Sequence, residues 1–344
     1  MLAVILKCKP GSRFHLGQSS MRQNETLTDT AEIIHSDVLF GAFIHTVAQH
    51  ISKDLEKWKD YFKSGKLIFS SAYYCLEYEQ KKVYLLPKPI SLNTIDITAN
   101  KTLQNAQKKL KKVKFISKGV WEKQLLPQDW LAKDRLCFLP ENRVVVLKEE
   151  LNIQATAFKL SEKSDIQKVK IRSAEEKGSL YTQTDLVIMG NEDVRIYWYF
   201  LVDMQELSES EQKEVKKLIE IMAIQGIGGE RSTGCGQIES VEYDDRFALP
   251  IFPDSHQYVS LSLSIPTVEE QNELLAYQII QRGGMYYGSE KKQIKIVNML
   301  TEGAVLSNTI LGRIADLSDE NKKHWRGGTS FCVPIPPAYQ YLKR

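Results

Sequence analysis

The stretch that most restricts the fold of this chain lies between residues 196 and 243, where strand, helix, turn and strand signals follow one another without a gap. Ile196, Trp198, Phe200 and Val202 alternate with Tyr197, Tyr199 and Leu201, the period of a strand. Ser208 and Glu211 then stand at capping-box spacing, and Val215, Leu218, Ile219 and Met222 form the apolar stripe of a helix. Gly226 is expected to end that helix, and GIGGERSTGCG (226–236) leads into a strand over Ile238–Tyr243. A strand, a capped helix and a returning strand make a sheet with a helix on one face.

The same order reads again further on. Val259, Leu261, Leu263 and Ile265 alternate with three serines, Pro266 stops the strand, and Thr267 and Glu270 form a second capping box. A helix through Leu274, Leu275 and Ile279, ending at Arg282-Gly283-Gly284, is the expectation. The pattern predicts a duplicated α+β unit. Nearer the start, Val4, Leu6 and Cys8 share one side of a first strand that Pro10-Gly11 ends, and the polar stretch 12–30 reads as a long loop. Ser36-Asp37 is placed to cap a helix with Leu39, Phe43 and Val47 on one face and Phe40 and Ile44 widening it. Further strands are expected at Leu67–Ser70, Val83–Leu86 and Val144–Leu147.

Between Asp96 and Glu122 stand seven lysines (101, 108, 109, 111, 112, 114 and 118) and no acid. The segment interrupts an otherwise regular pattern, so residues 90–180 read as an insertion in an N-terminal domain of 1–248, with a C-terminal domain over 249–344. Leu110, Val113, Phe115 and Ile116 interleave the lysines, which fits a solvated face or a surface lying on a polyanion. The formal net charge of +3 identifies no partner by itself. Five scattered cysteines form no CxxC pair, which argues against a zinc site or disulfide framework and for reduced thiols in the cytoplasm. The apolar start is broken at Lys7, too short for a secretory signal, and no later run approaches a membrane span.

Five glycines in the eleven residues 226–236 exceed what a helix C-cap needs. Dense glycine lets backbone N–H groups approach a phosphate or a splayed base, and Arg231, Ser232 and Thr233 add a charged fork and two hydroxyls. The alternative is a turn needed only for tight helix-to-strand packing. A P-loop or dinucleotide fingerprint is excluded by position, because this loop follows a helix and carries no Gly-Lys pair.

GIGGERSTGCGQIESVEY resembles the signature glycine loop of the repeat-associated mysterious proteins (RAMPs) of CRISPR systems, set before the last strand of a ferredoxin-like domain. KPGSRFHLG (9–17), AEIIHSDVLFGAF (31–43), YLLPKPI (84–90) and KKLKKVKFISK (108–118) resemble the family of fourth subunits of the Csm, or type III-A, effector. Glu230, Cys235 and Gln237 stand where such loops often carry basic residues. The resemblance implies an α+β fold of two ferredoxin-like (RRM-like) domains with an inserted lysine-rich thumb within 90–180. It implies a non-catalytic, single-copy subunit without cofactor or metal that grips the 5′ tag of CRISPR RNA. Its partners would be the large cyclase-bearing Csm subunit and the backbone RAMP subunit.

The RNA-binding residues so expected are Lys9, Arg13, His15, His35, Ser36, Lys88, Gly226, Ile227, Gly228, Gly229, Arg231, Ser232, Thr233, Arg282, Gly283 and Gly284. His15, beside Arg13, also suits the general base of a metal-independent endoribonuclease, against a loop histidine that hydrogen-bonds or stacks on a base. His35 fits either helix-entry packing or an RNA contact. Trp121 and Trp130 fit base stacking or core packing, and Arg282-Gly283-Gly284 a second loop or a C-cap. His45 and His50 lack the spacing of metal ligands.

Overall fold

The protein is described by a computed structural model covering residues 1–17, 29–93, 101–132, 134–139, 141, 143–151, 159–170, 179–285, 293–319 and 323–342. The N-terminal part runs β1 (Leu2–Lys7), β2 (Arg13–Phe14), α1 (Ser36–His50), α2 (Leu55–Ser64), β3 (Ile68–Phe69), β4 (Tyr73–Tyr78) and β5 (Lys81–Pro87). It continues through α3 (Lys101–Lys112), β6 (Phe115–Ser117), α4 (Lys118–Glu122), β7 (Leu136–Phe138) and β8 (Val144–Leu147). A hairpin, β9 (Ser161–Lys170) and β10 (Ser179–Ile188), precedes β11 (Val194–Asp203), α5 (Glu209–Gln225) and β12 (Ser240–Asp244).

These residues build a mixed α+β structure around one large sheet, in the order β12-β1-β11-β4-β5-β6-β8-β7, with β3 also on β11. β1 lies inside it because Leu2 to Leu6 are all buried, so neither face of the strand can meet water. It pairs antiparallel with β11 on one side (Val4 with Phe200) and β12 on the other (Val4 with Tyr243). The capping box forms as the sequence predicts: the Ser208 side chain accepts from the Glu211 amide, and Glu211 accepts from the Ser208 amide at 3.1 Å. The buried stripe of α1 carries Phe43, whose ring meets Phe69 at 5.4 Å and Phe62 at 5.7 Å edge-on.

The cap of α1 differs from expectation. His35 is the N-cap and offers no side-chain cap bond, while Ser36 and Asp37 are the first two helical residues. Both side chains are drawn away to distant partners: the Leu263 amide donates to Ser36 Oγ at 3.0 Å, and Asp37 meets two arginines.

The second helix of the expected repeat does not form. Thr267 and Glu270 exchange both capping-box bonds, at 2.8 and 3.3 Å, but cap only a 3₁₀ turn over Glu269–Glu273. Leu274–Ala276 is then β14, and Ile279–Met285, with Arg282-Gly283-Gly284 inside it, is β15. The Glu270 carboxylate also takes the amides of Leu311 and Gly312, at 2.8 and 3.0 Å, which ties the turn to the chain at 311–312. β15 pairs antiparallel with β16 (Gln293–Leu300); β14, β17 (Val305–Leu306), β13 (Tyr258–Ser260) and β20 (Cys332–Pro334) form a four-stranded sheet, and β18 (Ala315–Asp316) pairs with β19 (Trp325–Arg326). Ser260, Ser262 and Ser264 are wholly buried and satisfied within the chain, as where the Phe331 amide donates to Ser262 Oγ at 2.8 Å. Val259, Leu261, Phe331 and Val333 join the same core as β1 and β11.

Residues 90–180 divide in two. β6, β8 and β7 widen the large sheet, with β6 and β8 parallel, and buried Leu110 and Val113 hold the end of the lysine-rich segment against it. β9 and β10 instead form a separate three-stranded sheet with β2. Paired Val169 and Leu180 are exposed there, and residues 171–178 lie outside the described residues.

Candidate nucleic-acid interface

The glycine loop joins α5 to β12 and folds back on itself and on the chain after β1. The Ile227 amide donates to the Gly236 carbonyl at 2.9 Å, Gly229 N to His15 O at 2.9 Å, and Gly236 N to Arg13 O at 2.6 Å. Gly228 (φ +99°) and Gly236 (φ +77°) require glycine: a Cβ would stand 2.8 Å from the His15 carbonyl oxygen in the first case and 2.2 Å from that of Ile227 in the second. Close backbone packing therefore accounts for much of the glycine density. At Gly234 an added Cβ would meet nothing within 4 Å, so this end of the loop is open.

Asp185 organises the neighbouring wall. Arg13 Nη2 reaches its carboxylate at 2.5 Å and Nε at 3.1 Å, Gln183 Nε2 donates at 2.6 Å, and Cys235 Sγ donates at 3.4 Å. Burial opposes ionisation of this carboxyl, but the hydrogen bonds from Gln183 and Arg13 outweigh it and hold the carboxyl below the ordinary aspartate range. His15 Nδ1 lies 3.1 Å from Thr184 O and 3.3 Å from Asp185 Oδ1, both acceptors, so this nitrogen carries the proton.

A cleft of about 550 Å³ lies between these elements. Of the residues expected from sequence it gathers His15, Gly226, Gly228, Gly229, Arg231, Gly283 and Gly284. It also takes in Gly41 and His45 of α1 and Lys323, His324 and Trp325, none of which the sequence reading placed at the site. The basic-aromatic run KKHWR (322–326) was the available signal. Lys59 and Lys323 hold their ammonium groups 4.7 and 5.8 Å from the Trp325 ring centre, within cation–π reach. Burial, and then the charge of Arg231, lowers the His45 pKa; burial, and then Arg326, does the same for His324. Ser232 and Thr233 lie exposed beside the cleft in a single 3₁₀ turn, tied to the β9–β10 hairpin where Lys168 donates to Glu230 at 3.1 Å and to Thr233 Oγ1 at 3.3 Å.

Other expected residues lie apart. His35 and Lys88 line a second cleft of about 440 Å³. Lys9 is exposed and paired with Glu239 at 3.1 Å. Ile227 and Ser36 are buried, the former wholly. Arg282 is buried too, with Nε 2.9 Å from Asp37, and donates to the Gly17 carbonyl at 3.1 Å. Its triplet is neither a helix C-cap nor a copy of the first loop. Arg326 joins Asp37 at 2.5 Å; burial works against ionisation of that carboxyl, but the two guanidinium groups hold it far below the usual range. Trp121 and Trp130 are core residues.

Among the described residues no group of three or more His, Cys, Asp or Glu could hold a metal ion, and no helix is long and apolar enough to cross a membrane. All five cysteines are free thiols.

Comparison with known proteins bears on the same features. The chain superposes on a chain of the crystal structure of the Csm3–Csm4 subcomplex of the type III-A CRISPR-Cas interference complex, with TM-score 0.70 and 23% identity over 98% of this chain and all of that one. A chain of the Csm1–Csm4 cassette in complex with cA4 matches at TM-score 0.57 and 16% identity, over 97% of each chain. At these identities the correspondence is one of fold. In sequence, residues 253–335 match the model of the CRISPR Csm4 C-terminal domain. The CRISPR system Cms protein Csm4 of Methanocaldococcus jannaschii is 28% identical over 359 aligned positions, which span 93% of this chain and 90% of the relative. A domain match at one end and a relative aligned along nearly the whole length agree: the chain is similar to Csm4 proteins in sequence and in fold.

Proposed function

We propose that this protein is a non-catalytic RNA-binding subunit of a type III-A effector complex, acting in the cytoplasm. It holds the 5′ repeat-derived tag of CRISPR RNA and contacts the large cyclase-bearing subunit and the backbone RAMP subunit. The observation that carries the reading is the convergence of His15, the glycine loop with Arg231, and Lys323 with Trp325, from three separate parts of the sequence, on one cleft. Guanidinium and ammonium groups suit phosphates, and an indole at the wall suits a splayed base. Within this reading the large-sheet part and the C-terminal part correspond to two ferredoxin-like domains meeting at about residue 248. The β9–β10 hairpin, tied to the glycine loop through Lys168, serves as the thumb in place of the lysine-rich segment. The test is guide-RNA retention in the assembled complex: Arg231→Ala and Lys323→Ala together should lower it several-fold, and unchanged retention would leave the cleft without this role.

The contact between His15 and Asp185 gives a second reading its footing, since a histidine oriented by a carboxylate is the arrangement of a general base. Repeat RNA incubated with the purified protein without metal should remain intact. A single defined cut, lost in His15→Ala, would make this subunit a metal-independent endoribonuclease instead.

A further inference from the structure

The second cleft stands on the other side of the first turn of α1. Ile33, Val113, Phe115 and Ile280 give it apolar walls, and Asn93 and Gln278 add amide groups. Its volume, about 440 Å³, falls in the range of pockets that enclose a small organic ligand. The charged and titratable groups facing it are Glu32, His35, Lys88, Lys111, Lys114 and Glu302.

Most of these neutralise one another. Glu32 is bound by Lys114 at 2.8 Å and by Arg143 at 2.5 Å, and Glu302 lies 2.7 Å from His35 Nδ1. Lys88 differs. Its ammonium approaches the Leu110 carbonyl at 3.5 Å, and among the described residues no carboxylate lies within ion-pair distance of it. Lys111, exposed at the mouth, adds a second such cation. A largely buried ammonium that meets no carboxylate among the described residues, in a cleft with apolar walls, is an arrangement that an anion joined to a flat apolar body would complete.

The two clefts are joined by β15. Ile280 lines the second and Gly283 and Gly284 the first, three and four residues further along the strand, so about 10–13 Å separates those positions at the usual rise per residue. One strand of RNA can therefore occupy both.

We infer that the second cleft takes one nucleotide of the same single-stranded RNA, its base against the Phe115 and Val113 walls and its phosphate on Lys88 and Lys111. This rests on the RNA-binding reading of the first cleft and extends it to a separate subsite with its own signature. Burial lowers the pKa of Lys88 to about 8. The ammonium form is the one that binds phosphate. Affinity is therefore present at neutral pH and is lost as pH rises through that value.

The experiment is RNA binding by the full chain at constant ionic strength, followed by fluorescence anisotropy with a tag-bearing single-stranded RNA. For the wild type, affinity should fall several-fold between about pH 7 and pH 9, toward that of an uncharged side chain, as Lys88 loses its proton. Lys88→Arg, charged at both pH values, should bind with an almost flat profile. Lys88→Met should bind several-fold more weakly at pH 7 and show no further fall. Melting curves check that both variants fold. If all three share one affinity and one profile while Arg231→Ala weakens binding, the subsite is wrong and the first cleft stands. If the wild type binds no RNA at either pH, both readings fail.

Discussion

Several expected side chains turn out to be engaged inside the chain rather than presented to a ligand. Arg282 was singled out because two glycines follow it, yet its guanidinium belongs to Asp37, 245 residues earlier, and Arg326 shares that carboxylate. A pairing of that separation has no local signature. Asp37→Asn leaves two buried guanidinium groups without their anion and should cost about 3–5 kcal/mol of stability, readable in denaturant unfolding. The folded-state pKa of Asp37 is depressed, so its contribution is present above the ordinary aspartate pKa and lost as pH falls below it. Wild-type stability should fall steeply in acid, and the Asn variant should show a shallower fall. Gly228 makes a second residue-scale case. Its positive φ and the 2.8 Å approach to His15 O mean that Gly228→Val should lower the melting temperature before it reports on any ligand. Arg231 is the position in that loop where binding can be probed without disturbing the backbone, since Gly234, though open, has a φ of +92°.

At the scale of elements, the sequence was most informative where caps and periodicity agreed. α5 and α1 occupy the expected stretches, and the strand after the glycine loop pairs with β1, shifted slightly from Ile238–Tyr243 to Ser240–Asp244. The second capping box misled because it is a local bond pair that fixes only one turn. Beyond it, paired apolar residues at 274–275 and 279–280 serve a ladder as well as a helix, and the partners that decide it, such as Leu300 for Ile279 and Leu306 for Leu274, lie on the distant strands β16 and β17. The lysine-rich segment shows the same limit. Read as one basic unit, it resolves into paired and unpaired lysines: Lys114 and Lys118 are bonded to Glu32 and Glu122, Lys109 lies 3.6 Å from the Phe138 ring centre, and Lys108, Lys111 and Lys112 are exposed. Neutralising the three exposed lysines should flatten the log–log salt dependence of guide binding by about 0.7 for each phosphate contact removed, equally for different spacer sequences. Neutralising Lys114 and Lys118 should leave the slope unchanged, and parallel slopes for both sets would place the whole segment away from RNA.

Across the whole molecule, the sequence reading of a strand–helix–strand unit describes the part built on β1, β11, α5 and β12. The arrangement of the C-terminal strands was not legible, because their buried serines and short ladders are specified by contacts across the fold rather than by local pattern. The first cleft has the same origin. Segments near residues 15, 45, 230, 284 and 324 meet only after folding, which is why Arg231 could be read from its loop while Lys323 and Trp325 carried no more than a short basic-aromatic run. In the proposed role these segments together grip one RNA strand. Its most direct test is photo-cross-linking of the assembled effector, with 4-thiouridine placed through the tag and adducts mapped by peptide mass. The prediction is adducts within 15–17, 226–234 and 323–325. Adducts that avoid all three segments while the complex retains its guide would contradict it.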